Sequence, residues 1–108
     1  MGESLPLRKV KANVKSNPSF SSLGFFIMKY VAYILKSESH GTYYYGSTKD
    51  IEYRLIAHNK GKVRYTKGRR PWVLHYYEEF ETRSEAYSRE LFFKSVEGYR
   101  FLKSQHVI

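Results

Sequence analysis

The sequence predicts an α+β domain in which a small, three-stranded, mostly antiparallel sheet is flanked by helices in the order β-β-α-β-α. Three observations predict it. Two short runs rich in aromatic and β-branched residues, Tyr30–Lys36 and Thr42–Ser47, are separated by the polar, Gly-containing segment Ser37–Gly41, the pattern of a β-hairpin with a medium-length loop. A helical pattern follows at once and sets Arg54 and His58 four residues apart on one face. A third apolar run, Pro71 to Glu78, then leads to Thr82-x-x-Glu85, a capping box that opens a second helix.

Residues 1–28 differ from the rest: they are rich in Ser, Asn and Lys, carry two of the three prolines and lack sustained periodicity. They are expected to form a disordered arm, or else an upstream extension, since Met28-Lys29-Tyr30 would equally serve as a start. Leu23–Met28 is apolar, but Lys29 interrupts it and no small-x-small cleavage site follows, so a signal peptide is not expected. Leu23–Leu35 is also too short for a membrane span. The domain itself is expected over residues 29–102, with 103–108 as a tail.

Within the first strand Val31, Tyr33 and Leu35 share one face and Ala32 and Ile34 the other. A strand apolar on both faces belongs in the middle of its sheet. Thr42–Ser47 should pair antiparallel with it and end at Gly46, where a missing Cβ suits a close approach or an unusual φ. The first helix, about Lys49–Lys60, has Thr48 or Asp50 as its cap, Ile51 and Leu55 as its core stripe, and Gly61 as its stop. Lys60–Arg70 reads as a basic, Gly-punctuated loop. Pro71 stands at the first position of the third strand, where proline is tolerated. The second helix should run to about Glu97, with Gly98 breaking it before a short final helix over Tyr99–His106.

The 108 residues allow one domain. With no cysteine, a disulfide framework and a thiolate zinc site are excluded, which agrees with a cytoplasmic location. The four histidines, His40, His58, His75 and His106, lack metal-ligand spacing. The net charge is +9; from Tyr30 onward 14 Lys+Arg face 9 Asp+Glu, leaving +5. Lys60, Lys62, Arg64, Lys67, Arg69 and Arg70 cluster in one loop with no acidic residue among them, and such clustering favours a polyanionic partner, nucleic acid before a membrane surface.

Several side chains could carry chemistry. Glu90 lies on a helical stripe with Ala86 and Phe93, at or near an apolar face, where a carboxylate needs a cation or donors; it could equally pair with Lys94 or Arg83 at the surface. Tyr33 and Tyr44 stand on adjacent strands, although tyrosine favours strands in any case and eleven are present. A phenol is a poor base at neutral pH unless nearby cations such as Arg54 lower its pKa. Arg54 could clamp a phosphate or be an ordinary solvated residue. His58 could be a general base, a phosphate donor or a helix-end residue, and a substrate-side contact is the favoured reading. Lys94 could orient Glu90 or touch phosphate, and Tyr65 could stack on a base.

The order Val31-Ala32-Tyr33, Tyr44-Tyr45-Gly46, Arg54-Leu55-x-x-His58, Glu90 and Lys94 resembles the GIY-YIG nuclease family. The likeness is to its small single-domain members, which are similar to the amino-terminal nuclease domain of the bacterial excinuclease, and runs from about Lys29 to Leu102. It implies the same α+β fold and a DNA endonuclease, acting in repair or recombination, that uses one Mg2+ or Mn2+ ion on Glu90. It implies catalytic roles for Tyr33, Tyr44, Arg54, His58 and Glu90, with either tyrosine aiding the attacking water. Val31, Ala32 and Tyr45 replace the family's Gly, Ile and Ile. The asparagine that some members place after the glutamate has no counterpart, since none follows Asn59.

No base-reading motif is visible, so DNA recognition should rest on structure and backbone more than on sequence, through Lys60, Lys62, Arg64, Tyr65, Lys67, Arg69, Arg70 and Lys94. A partner protein could supply targeting. Two rival readings are a non-catalytic nucleic-acid-binding module using the same basic groove, and a tyrosine-rich interaction domain with little nucleic-acid affinity.

Overall fold

The computed structural model describes residues 9–11 and 30–108. The remainder of the expected amino-terminal arm lies outside the described residues. Lys9–Lys11 form β1, followed by β2 (Tyr30–Ser37), β3 (Tyr43–Thr48), α1 (Ile51–Asn59), β4 (Trp72–Phe80), α2 (Arg83–Phe93) and α3 (Val96–Ser104), with one 3₁₀ turn at Lys67–Arg69. The hairpin strands and β4 make the expected three-stranded antiparallel sheet, and β1 adds a short fourth strand against β4, giving the order β1-β4-β2-β3. β2 is therefore central and β3 is an edge. Among the described residues no helix is long and apolar enough to cross a membrane.

Both faces of β2 are covered, as its apolar pattern requires. Val31, Tyr33 and Leu35 join Trp72, Leu74 and Tyr77 in a core closed by Ile51 and Leu55 of α1, with Tyr44 packed against it. Ala32 and Ile34 join Tyr76, Phe93 and Leu102 in a second core under α2 and α3, with Tyr43 and Tyr45 beside them. The pairing of β2 with β4 shifts register between Ile34, opposite Tyr76, and Leu35, opposite Leu74, so His75 is the extra residue of a bulge. This bulge resets the alternation of β4, so that Leu74 and Tyr77, three residues apart, share one core while Tyr76 enters the other.

The helices start where local chemistry directs. The Asp50 side chain accepts from the Tyr53 amide and caps α1, and Gly61 follows the helix at φ 77°. At α2 the Thr82 hydroxyl and the Glu85 carboxylate satisfy each other's backbone amides in the expected capping box. The end of α2 corrects the sequence reading. The helix stops at Phe93 rather than near Glu97, and Ser95, not Gly98, divides it from α3: the Ser95 hydroxyl donates to the Phe92 carbonyl at 2.6 Å and accepts from the Gly98 amide at 3.0 Å. Gly98 lies inside the first turn of α3, where a Cβ would come within 1.7 Å of the Phe92 carbonyl oxygen. Its role is close packing of two helices, not helix breaking. β4 likewise runs on to Phe80, which pairs with Tyr30.

Candidate active site

Tyr33 pairs across the strands with Gly46. A Cβ on Gly46 would lie 2.5 Å from both the ζ carbon and the hydroxyl of Tyr33, so the ring lies across the glycine and reaches toward the sheet's edge. The close approach expected at Gly46 is thus made by a side chain from the neighbouring strand, although β3 runs on to Thr48 and does not end at the glycine as expected. Tyr44 stands on the same face, its ring 6.4 Å from Tyr33 and 4.9 Å from His58.

His58 comes from the last turn of α1 and is fully buried. Its Nε2 lies 3.2 Å from the Tyr33 hydroxyl and its Nδ1 lies 2.8 Å from Oγ1 of Thr66. The Thr66 hydroxyl donates to the Val63 carbonyl, so it accepts from Nδ1–H, which leaves Nε2 to accept the Tyr33 proton; the tautomer follows from this network. Burial, helped by the Arg54 charge, lowers the His58 pKa to about 4, which keeps the ring neutral at physiological pH. Burial also drives the Tyr33 phenol well above its usual value, and the neighbouring Arg54 guanidinium only partly offsets this. Arg54 is thus the cation that acts on the Tyr33 phenol, but burial outweighs it.

Glu90 reaches the same edge from the opposite face of the sheet. Ser47, one residue beyond Gly46, donates to its Oε1 at 2.7 Å, and Lys94 donates to its Oε2 at 2.8 Å. Glu90 lies within electrostatic reach of Tyr33, and Lys94 within reach of Tyr44. Tyr33, Tyr44, Arg54 and His58 on one side of β3 thus meet Glu90 and Lys94 from the other. Of the two partners considered for it, Arg83 and Lys94, Glu90 pairs with Lys94, its own side chain largely enclosed.

A match to the family model described as the GIY-YIG catalytic domain covers residues 29–100. The chain belongs to the GIY-YIG family. It is 46% identical over 76 residues to a UPF0213 protein of Staphylococcus saprophyticus, a match spanning 69% of this chain and 92% of that protein. It is 46% identical over 70 residues to a UPF0213 protein of Clostridium perfringens, spanning 64% of this chain and 73% of the other. A UPF0213 protein of Halobacterium salinarum is 47% identical over 53 residues, 48% of this chain and 69% of its own length. No solved structure matches the chain.

In this GIY-YIG chain, His58, for which a substrate-side contact is the favoured reading of the sequence, is fully buried. Both ring nitrogens are engaged inside the core, and its geometry is that of a support for Tyr33. The basic loop does face solvent: Lys60, Lys62, Arg64, Lys67, Arg69 and Arg70 are exposed, and Tyr65 is 80% exposed with its ring 5.9 Å from Tyr44. Three supporting residues carry no clear signal in the sequence. Thr66 hides inside the basic loop and anchors it to His58; Ser47 holds Glu90; and the Asn59 side-chain amide clamps the backbone of Trp72, donating to its carbonyl and accepting from its N–H. Trp72 in turn donates from Nε1 to the Thr66 carbonyl. Each is a small polar residue whose partner is distant in sequence, and only the Ser/Thr/Asn residue type hints at it.

Glu90 is the carboxylate of this site that could hold a single hard cation. Among the described residues no three His, Asp or Glu side chains converge, but Glu90 offers a carboxylate that already holds one cation, the Lys94 ammonium, at contact distance. One carboxylate completed by water and substrate phosphate is an ordinary arrangement for magnesium.

Proposed function

We propose that this GIY-YIG protein is a divalent-metal-dependent DNA endonuclease that hydrolyses phosphodiester bonds, a cytoplasmic enzyme of repair or recombination. The observation that carries the reading is the meeting of two phenols, a guanidinium and a carboxylate from both faces of the sheet at one strand edge, beside an exposed basic loop. Tyr44, half-buried and adjoining the exposed Tyr65, is the phenol open to substrate and orients the attacking water. Tyr33 and His58 are positioning residues: buried and hydrogen-bonded to each other, they fix the floor on which Tyr44 and Arg54 stand. Arg54 stabilises the charge that builds on the phosphate. Glu90 would hold one Mg2+ or Mn2+ ion, which when bound supplies Lewis-acid stabilisation of the phosphate and leaving oxygens. Lys60, Lys62, Arg64, Lys67, Arg69 and Arg70 track the DNA backbone without reading bases, so a partner protein would have to supply any targeting.

Single-turnover cleavage of a labelled DNA duplex, nick and flap tests the assignment of roles. Arg54→Ala and Tyr44→Phe are each expected to slow cleavage by roughly a hundredfold or more while DNA affinity changes little. Salt-sensitive binding with no cleavage by the unmodified protein would instead identify a non-catalytic binding module.

A further inference from the structure

The metal role assigned to Glu90, on which this inference rests, conflicts with the ion pair that the residue already makes. Glu90 is largely enclosed, its side chain 14% exposed, with Oε1 held by the Ser47 hydroxyl on the strand. Oε2 is held by the Lys94 ammonium at 2.8 Å, so the pair carries no net charge. A divalent ion approaching Oε2 meets a positive charge already there, and a lone carboxylate is a weak site to begin with. The two holders differ in freedom. Ser47 is fixed by the sheet, whereas Lys94 caps the end of α2 with a half-exposed side chain on a flexible stem. The Lys94 ammonium also interacts electrostatically with Tyr44.

We propose that Lys94 is a positioning residue that couples metal loading to substrate. It holds Glu90 as an ion pair in the free protein and yields Oε2 when a DNA phosphate is present to receive the ammonium. Metal and DNA then bind cooperatively, because each removes the charge conflict that opposes the other.

Mn2+ titrations followed by electron paramagnetic resonance, with and without a short duplex, test this. The forms compared are the unmodified chain, Lys94→Met and Lys94→Arg; with DNA present, Arg54→Ala is added throughout to keep the duplex intact. Glu90→Ala gives the background from DNA and the rest of the protein. Without DNA, Lys94→Met should bind Mn2+ about fivefold more tightly than the unmodified chain, the scale of one exposed ion pair. The gain in Mn2+ affinity on adding DNA should shrink in Lys94→Met and persist in Lys94→Arg. Equal or weaker Mn2+ binding by Lys94→Met overturns the proposal. Mn2+ binding that Glu90→Ala leaves unchanged overturns both the proposal and the metal role of Glu90. Intact coupling without cleavage by the unmodified chain would keep this inference and remove the nuclease.

Discussion

His58 is a neutral imidazole sealed between a tyrosine and a threonine, and this has a consequence for stability. Its folded pKa of about 4 lies below the ordinary value of 6.5, so the unfolded chain takes up the proton first. Native stability should therefore fall as pH drops from about 6.5 towards about 4, by up to about 3 kcal/mol from this residue. Urea unfolding across that range checks it: His58→Gln should flatten the slope, and an unchanged slope would contradict the assignment. Gly46 tests the same site sterically. Tyr33 is 1% exposed, so its ring cannot swing away from a new methyl group. Gly46→Ala should cost roughly 1–3 kcal/mol in stability and lower the cleavage rate as well. Tyr33, Tyr44, Arg54 and Glu90 are legible as candidates because their order along the chain resembles the family's, not from any one residue alone. The sequence does not reveal that burial outweighs Arg54 at Tyr33, since burial is a property of the assembled core.

At the scale of the elements, legibility follows the range of the interactions. The hairpin, the Asp50 cap, the Gly61 stop and the Thr82–Glu85 capping box are set by neighbours a few residues apart and are readable. The α2–α3 division is not: Gly98 reads as a breaker from its type alone, whereas its contact is with the preceding helix. Gly98→Ala, forced against the Phe92 carbonyl oxygen, should destabilise the protein by about 3 kcal/mol and release α3 from its core. Unfolding in urea measures the first effect and amide hydrogen exchange across α3 the second. The bulge at His75 is also invisible, since strict alternation cannot show where a strand gains a residue.

For the whole molecule, the organising fact is that β3 is an edge strand. Side chains from opposite faces of a sheet are normally kept apart by it. Here Tyr33 passes over Gly46 while Glu90 comes up from below to Ser47, and the two halves meet at the rim. Both halves are legible in the sequence, but not the geometry that joins them. The exposed basic loop gives the rim its field, so DNA affinity should be strongly salt-dependent. Replacing Lys62, Arg64, Lys67 and Arg69 with Gln should lessen the slope of log affinity against log salt by up to about 3–4, if all four contact duplex phosphates. Binding titrations at several salt concentrations read that slope directly. The proposed function has this rim cut DNA with one ion on Glu90. Its most direct test is cleavage of labelled duplex, nicked, flap and branched DNA with magnesium or with chelator, comparing the unmodified chain with Glu90→Gln. Cutting should require magnesium and disappear in the variant; cutting that survives either chelator or Glu90→Gln would rule out catalysis by an ion held on Glu90.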